Sequence, residues 1–331
     1  MIKDLSYYAG KFTNLKVDRS RGIALHKPIL LMSVIDLIGK EEINDNHIFL
    51  TPELIATFLK YWSHLAEETH EPKIYQPFFH LNTSNFWHLQ LVEGLDIAIS
   101  NSLKPKSIRG LQALVEYAYL DKELFSLLQD TISRSRLLNV LANKWFSSKL
   151  IEVESLLQIN EFQEFQNRLK EKGGYTYSSS SEEVQNEEKA VLRDAGFRKV
   201  VVSIYEYRCA LCHLQIIDSF GQNIVDACHI KPFKIFFDDH TNNGLSLCKN
   251  HHWAFDRGWF TIDDNYRILI ANDLMDESPH NRSLKEFEGE QIILPNQTLH
   301  IPRAEALQWH RNTIFNISDR KRKQQGYLEL D

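Results

Sequence analysis

The pattern of apolar and polar positions divides the chain into a mainly helical first half and a mixed second half. In "TPELIATFLKYWSHLAEE", Leu54, Ile55, Phe58, Leu59, Trp62 and Leu65 recur at helical spacing, with Thr51 as the cap and Pro52 in the first turn. "HKPILLMSVIDLIGK" is apolar nearly all round, which predicts a buried helix with Pro28 in its first turn and Gly39 near its end. "LDKELFSLLQD" and "SRSRLLNVLANKWF" also read as helices, and "FWHLQLV" as a strand-like insert among them. "NEFQEFQNRLKEKGG" predicts a helix stopped at Gly173 and Gly174.

The next stretch, "YTYSSSSEEVQNEE", has repeated serines, acids and no apolar period, which is the signature of a linker. The expected organisation is an α-rich domain over 1–172, a linker over 173–187 and a second domain over 188–331. At 331 residues the chain is long enough for two cores.

Composition is that of an ordinary globular protein, 43% apolar and 25% charged. The opening "MIKDLSYYAGKF" does not read as an export signal, and no apolar run reaches membrane-spanning length. The expectation is a cytoplasmic protein with no membrane partner. The net charge of −6 argues against a basic coat but leaves room for a local basic face that meets phosphates. "RKRK" at Arg320 to Lys323 is one such candidate, with a solvated tail as the plain alternative.

Candidate chemistry is concentrated in the second half. All four cysteines lie between Cys209 and Cys248. Cys209-x-x-Cys212 followed by Cys248-x-x-His251 makes two knuckles, each offering two ligands to one tetrahedral zinc. Three thiolates and an imidazole close the coordination shell, so the expected Zn²⁺ is structural. Cys228 falls outside the paired spacing and reads as a small buried strand residue.

Three further polar residues are interleaved with the knuckles: His229 after the strand-like "NIVDAC", Asn243 before "GLSLC", and His252 directly after the zinc ligand. Hydrolysis of a phosphodiester needs a base for water and a cation for the charge on the phosphate. Histidine titrates near neutral pH and suits the base. An amide can orient it without changing its charge.

The H…N…H order, together with "NGLSLCKNHHWAFDRGWFTID" and the closing "ALQWHRNTIF", resembles the HNH (ββα-metal) nucleases, in particular those of bacterial restriction enzymes. The resemblance covers roughly residues 190–316. It implies His229 as the base, Asn243 as its orienting residue and His252 as a ligand to a catalytic Mg²⁺ or Mn²⁺. Two carboxylates compete as the further ligand. Asp256 is four residues after His252 and shares its helix face. Asp226 is three residues before His229 and faces away from it on a regular strand. Many HNH enzymes carry an acid or histidine directly before the base, where this chain has Cys228, a poor Mg²⁺ ligand.

In the first half, "ALHKPILLMSVIDLI", "YQPFFHLNTSNFWHLQL" and "LDKELFSLL" resemble the sulfur-binding domains that precede HNH domains in modification-dependent restriction enzymes. That resemblance covers roughly residues 10–130. It implies an apolar cup for a phosphorothioate sulfur around Pro77 and Phe78. His80 stands where that family has an arginine, so another modification or plain DNA shape is the alternative ligand. Arg19, Arg21, His26 and Lys27 form a candidate basic edge for phosphates.

The expected fold is α+β: a mostly helical DNA-recognition domain and a zinc-stabilised ββα nuclease domain. The expected partner is double-stranded DNA, modified DNA foremost. One active site cuts one strand, so a double-strand break calls for a homodimer or two separate nicks. The rival readings are a non-catalytic zinc-stabilised DNA-binding protein and an HNH nuclease without modification dependence, such as a toxin or housekeeping enzyme.

Overall fold

The computed structural model describes residues 3–20, 22–66, 70–94, 104–218, 222–272, 274–278 and 282–315. Arg21, His280 and the "RKRK" run lie outside the described residues. The chain forms two compact units, 1–164 with 186–192, and 165–185 with 193–331.

The first unit is built around two helices, His26–Gly39 and Pro52–Leu65. The first is buried continuously from Pro28 to Ile38, as its uninterrupted apolar run requires. The Thr51 side chain accepts from the Leu54 amide at 3.3 Å, satisfying an orphan donor of the second helix. A two-stranded antiparallel sheet, Trp87–Leu91 against Val115–Leu120, joins this core.

One buried charge cluster tightens the unit. Lys60 and Tyr61 both bond the carboxylate of Asp36, at 3.0 Å each. Lys60 also reaches the carbonyls of Leu156 and Ile159, at the end of the Leu150–Leu157 helix. Burial pulls the Lys60 amine down from its ordinary range, opposed by Asp36.

In the second unit the strand Val225–His229 pairs antiparallel with Gly244–Cys248, with Val225 opposite Cys248 and His229 opposite Gly244. The Lys249–Asp256 helix follows directly, completing the ββα unit. A second hairpin, Phe260–Ile262 with Ile268–Ile270, and the helix Ala304–His310 pack around it. His310 is buried, stacked 3.7 Å from Phe255 and bonded to Thr261 and to the Phe255 carbonyl.

The segment expected as a linker is structured. Residues 173–185 belong to the second unit and 186–192 to the first. Thr241 donates its amide to Gly173 O at 2.9 Å, Asp239 to Tyr175 O at 2.9 Å, and Tyr177 to Phe237 O at 2.8 Å. The serines and acids misled because backbone pairing, rather than an apolar face, holds this stretch. Gly174 has φ of 101° and passes so close to the chain that a Cβ there would lie 2.2 Å from Asp239 O. Among the described residues no helix is long and apolar enough to cross a membrane.

Candidate active site and metal centres

The two predicted knuckles converge. The ligand atoms of Cys209, Cys212, Cys248 and His251 all lie within 4.8 Å of one another. His251 Nδ1 is 3.4 Å from Cys209 Sγ and 3.2 Å from Cys248 Sγ. His213, with φ of 65°, turns the first knuckle, and its amide closes on Cys209 O. The Ala210 amide bonds Ser246 O, so the knuckle is fastened to the Gly244–Cys248 strand that carries the third cysteine. The thiols crowd one another. Cys212 and Cys248 push the Cys209 thiol far up, while Cys209 and Cys212 pull Cys248 far down. This donor set fits a four-coordinate Zn²⁺, which replaces shared protons with one central charge.

His229 ends its strand beside a buried acid. Its Nε2 lies 2.7 Å from Asp239 Oδ1, and Asp239, 1% exposed, also binds Arg193 at 2.5 Å. The imidazole stacks flat on Phe197, with centroids 3.9 Å apart and planes within 5°. One ring edge and one ring face are therefore fixed. A proton on Nε2 facing the carboxylate leaves the Nδ1 lone pair available. Asp239 was missed in the sequence. The doubled acid "DD" before His240 was a signal, but nothing in the period showed which acid turns inward.

Asn243 is fully buried and works on the backbone. Its Oδ1 accepts from the Lys231 amide at 2.9 Å, and its Nδ2 donates to Lys231 O and Asp238 O, each at 3.0 Å. It clamps the two ends of the loop that runs from His229 to Asp239. Gly244 follows because Val201 and Phe197 leave no room for a side chain.

His252 lies between two acids. Its Nε2 is 3.6 Å from Asp256 and its Nδ1 is 3.9 Å from Asp226. The strand is regular, so Asp226 points away from His229, as the alternation requires. Arg198 and Lys249 hold Asp226 at 3.0 Å each. Burial works to raise the Asp226 carboxyl, but Arg198 and then Lys249 outweigh it and hold it low. Asp256 is raised by burial, and His252 is lowered by burial. Cys228, 0% exposed, brings its Sγ to 3.6 Å from Asp256 Oδ1. Ligand atoms of Cys228, His252 and Asp256 fall within 4.8 Å of one another. Cys228 and His229 are consecutive in the Val225–His229 strand, so the cluster and the His229–Asp239 pair adjoin along the chain.

In the first unit a recess of about 280 Å³ is lined by Lys16, His26, Lys27, Pro77, His80 and Thr83 among others. Lys27 Nζ reaches Thr83 Oγ1 at 3.4 Å. Burial first, then Lys27 and Lys104, pull the His80 imidazole down. Two of the expected ligand residues lie apart from this recess. Phe78 is 1% exposed, packs edge-on against Trp87 and is part of the core. Arg19 is exposed and does not line the recess. Lys16 was not singled out in the sequence.

Residues 209–263 match the HNH endonuclease family. This segment, which holds the ββα unit with its two metal-ligand clusters, is an HNH endonuclease domain. Solved structures that resemble parts of the chain include the following two. The modification-dependent TagI restriction endonuclease is 24% identical with a TM-score of 0.28, over 37% of this chain and 39% of that one. The chain thus spans about two fifths of that enzyme's length. The sulfur-binding domain of SprMcrA, solved with phosphorothioated DNA, is 18% identical with a TM-score of 0.34, over 46% of this chain and 95% of that one. Among curated proteins, none matches this chain.

Proposed function

We propose that this protein is a metal-dependent DNA endonuclease of the restriction type, acting in defence against foreign DNA. The observation that carries the reading is the His229–Asp239 pair beside the Cys228, His252 and Asp256 cluster. His229 takes the proton of the attacking water at Nδ1, with Nε2 held by Asp239. Asn243 is a positioning residue: it closes the loop that delivers Asp239 to the base. His252 and Asp256 would hold the divalent ion, with the Asp226 carboxylate 3.9 Å from the other nitrogen of His252. A bound divalent ion supplies positive charge for the phosphate and the leaving oxygen. Cys209, Cys212, Cys248 and His251 would hold a structural Zn²⁺, whose charge would tie the first knuckle to the strand and helix. The expected products are a 5′-phosphate and a 3′-hydroxyl.

The recess in the first unit reads the DNA backbone, and a modified linkage foremost. Lys16 and Lys27 supply cations, Pro77 an apolar wall and His80 a largely neutral donor. The test is cleavage of matched duplexes, plain and phosphorothioate, beside a His229→Ala variant. Cutting of modified DNA alone, lost in the variant, is the expected result. Equal, His229-dependent cutting of both duplexes would retain the nuclease and remove the modification reading. Cutting that survives in His229→Ala would remove the assigned base.

A further inference from the structure

The strand position before His229 gives the nuclease site a sulfur atom. We propose that Cys228 is a ligand of the divalent ion held by His252 and Asp256, so that this centre selects a borderline, thiophilic ion such as Zn²⁺ or Co²⁺ over Mg²⁺. The inference rests on the nuclease reading of this site for its purpose, but its geometry stands independently.

Cys228 and His252 each approach one oxygen of the Asp256 carboxylate, close enough for the three side chains to share an ion. Cys228 Sγ to Asp256 Oδ1 is 3.6 Å, and His252 Nε2 to Asp256 Oδ2 is 3.6 Å. The donors also agree. Mg²⁺ prefers oxygen and keeps much of its water, whereas one thiolate, one imidazole and one carboxylate suit later first-row ions.

The surroundings supply what such a ligand needs. Cys228 is fully buried and its thiol already points at the Asp256 carboxylate. The Asp226 side chain lies on the same strand face, paired with Arg198 and Lys249, and meets the opposite nitrogen of His252. At 3.9 Å Asp226 faces that nitrogen as an ion-pair neighbour rather than a hydrogen-bond partner. On binding, the Cys228 thiol proton leaves to solvent and the metal–sulfur bond forms. No electron is transferred.

The test uses the full chain with its knuckle zinc in place and the zinc content checked at each step. Co²⁺ is titrated while absorption is followed for the thiolate-to-cobalt charge-transfer band. The expected result is a near-ultraviolet band in the native chain, lost in Cys228→Ser, erased by Zn²⁺ and unaffected by excess Mg²⁺. A band that persists in Cys228→Ser at unchanged zinc content, or cobalt binding with no such band, overturns the proposal. If Cys228→Ser does not fold, cobalt-edge X-ray absorption on the native chain replaces it. A sulfur neighbour at about 2.3 Å supports the ligand and its absence overturns it. Cleavage assays on the same samples separate the two readings. Cleavage supported by Mg²⁺ without any sulfur band sinks the sulfur ligand alone. A sulfur band without cleavage under any ion sinks the nuclease alone.

Discussion

Asp239 holds the Nε2 edge of His229 at 2.7 Å, and Arg193 holds Asp239 in turn. The chain of contacts sets which ring nitrogen carries the proton. His229→Ala is expected to slow single-turnover cleavage by about 10²–10⁴-fold, the usual contribution of a general base. Asp239→Asn keeps the shape but loses the charge that pairs with Arg193. Its expected cost is about 10–100-fold, in line with other supporting carboxylates. A native rate in Asp239→Asn, in a folded sample, would show that the contact does nothing for catalysis.

The Cys₃His cluster predicts at least one zinc per chain that resists dialysis. Removing it with a strong chelator should unfold the second unit, because the knuckle is tied by backbone bonds to the strand beside the active site. Metal analysis and the near-ultraviolet signal of Trp253 and Trp259, whose rings meet at 4.7 Å, would follow this. A metal-free preparation with an intact signal would contradict the structural role.

Most of what was legible in the sequence was local. Thr51 and Pro52 marked a helix start, the apolar run after Pro28 marked a buried helix, and the cysteine spacing marked a metal site. The covering elements followed from period, because period reports which face is dry. The pairing of Asp239 with His229 was not legible. It depends on the path of a loop set by Asn243 and Gly174, and neither leaves a periodic trace. Cys228 was correctly read as buried on its strand. Its approach to Asp256 was hidden because it depends on where the Lys249–Asp256 helix crosses that strand.

His310 predicts an acid limit to stability. Burial pushes its imidazole down to about 4, against an ordinary value of 6.5. Above pH 6.5 both folded and unfolded states leave it neutral, so it contributes no slope. Between 6.5 and about 4 only the unfolded state takes the proton, so stability falls with pH. The full loss below about pH 4 is on the order of 3 kcal/mol. His310→Gln keeps a donor for the Phe255 carbonyl and removes the titration. Denaturant melts of the variant across this window should show a shallower slope; an unchanged slope would assign the effect elsewhere.

Lys27 tests the recess of the first unit. If it meets a phosphate, Lys27→Ala weakens DNA binding similarly for different sequences. It also reduces the slope of log affinity against log salt by about one. Fluorescence anisotropy at several salt concentrations measures both. An unchanged salt slope would place the DNA elsewhere on the protein.

Gly174 and Tyr175 sit behind the acid that supports His229, yet they precede the long Glu187–Ile204 helix in the chain. The boundary that an excised catalytic fragment needs is therefore upstream of the serine-rich stretch. A fragment starting at residue 188 discards the backbone acceptor for the Asp239 amide and the packing at its carbonyl. One starting at 165 retains both. Comparing the two fragments, the shorter should lose thermal stability and the fixed position of its base, although every residue of the Cys₃His cluster and of the H…N…H order is still present.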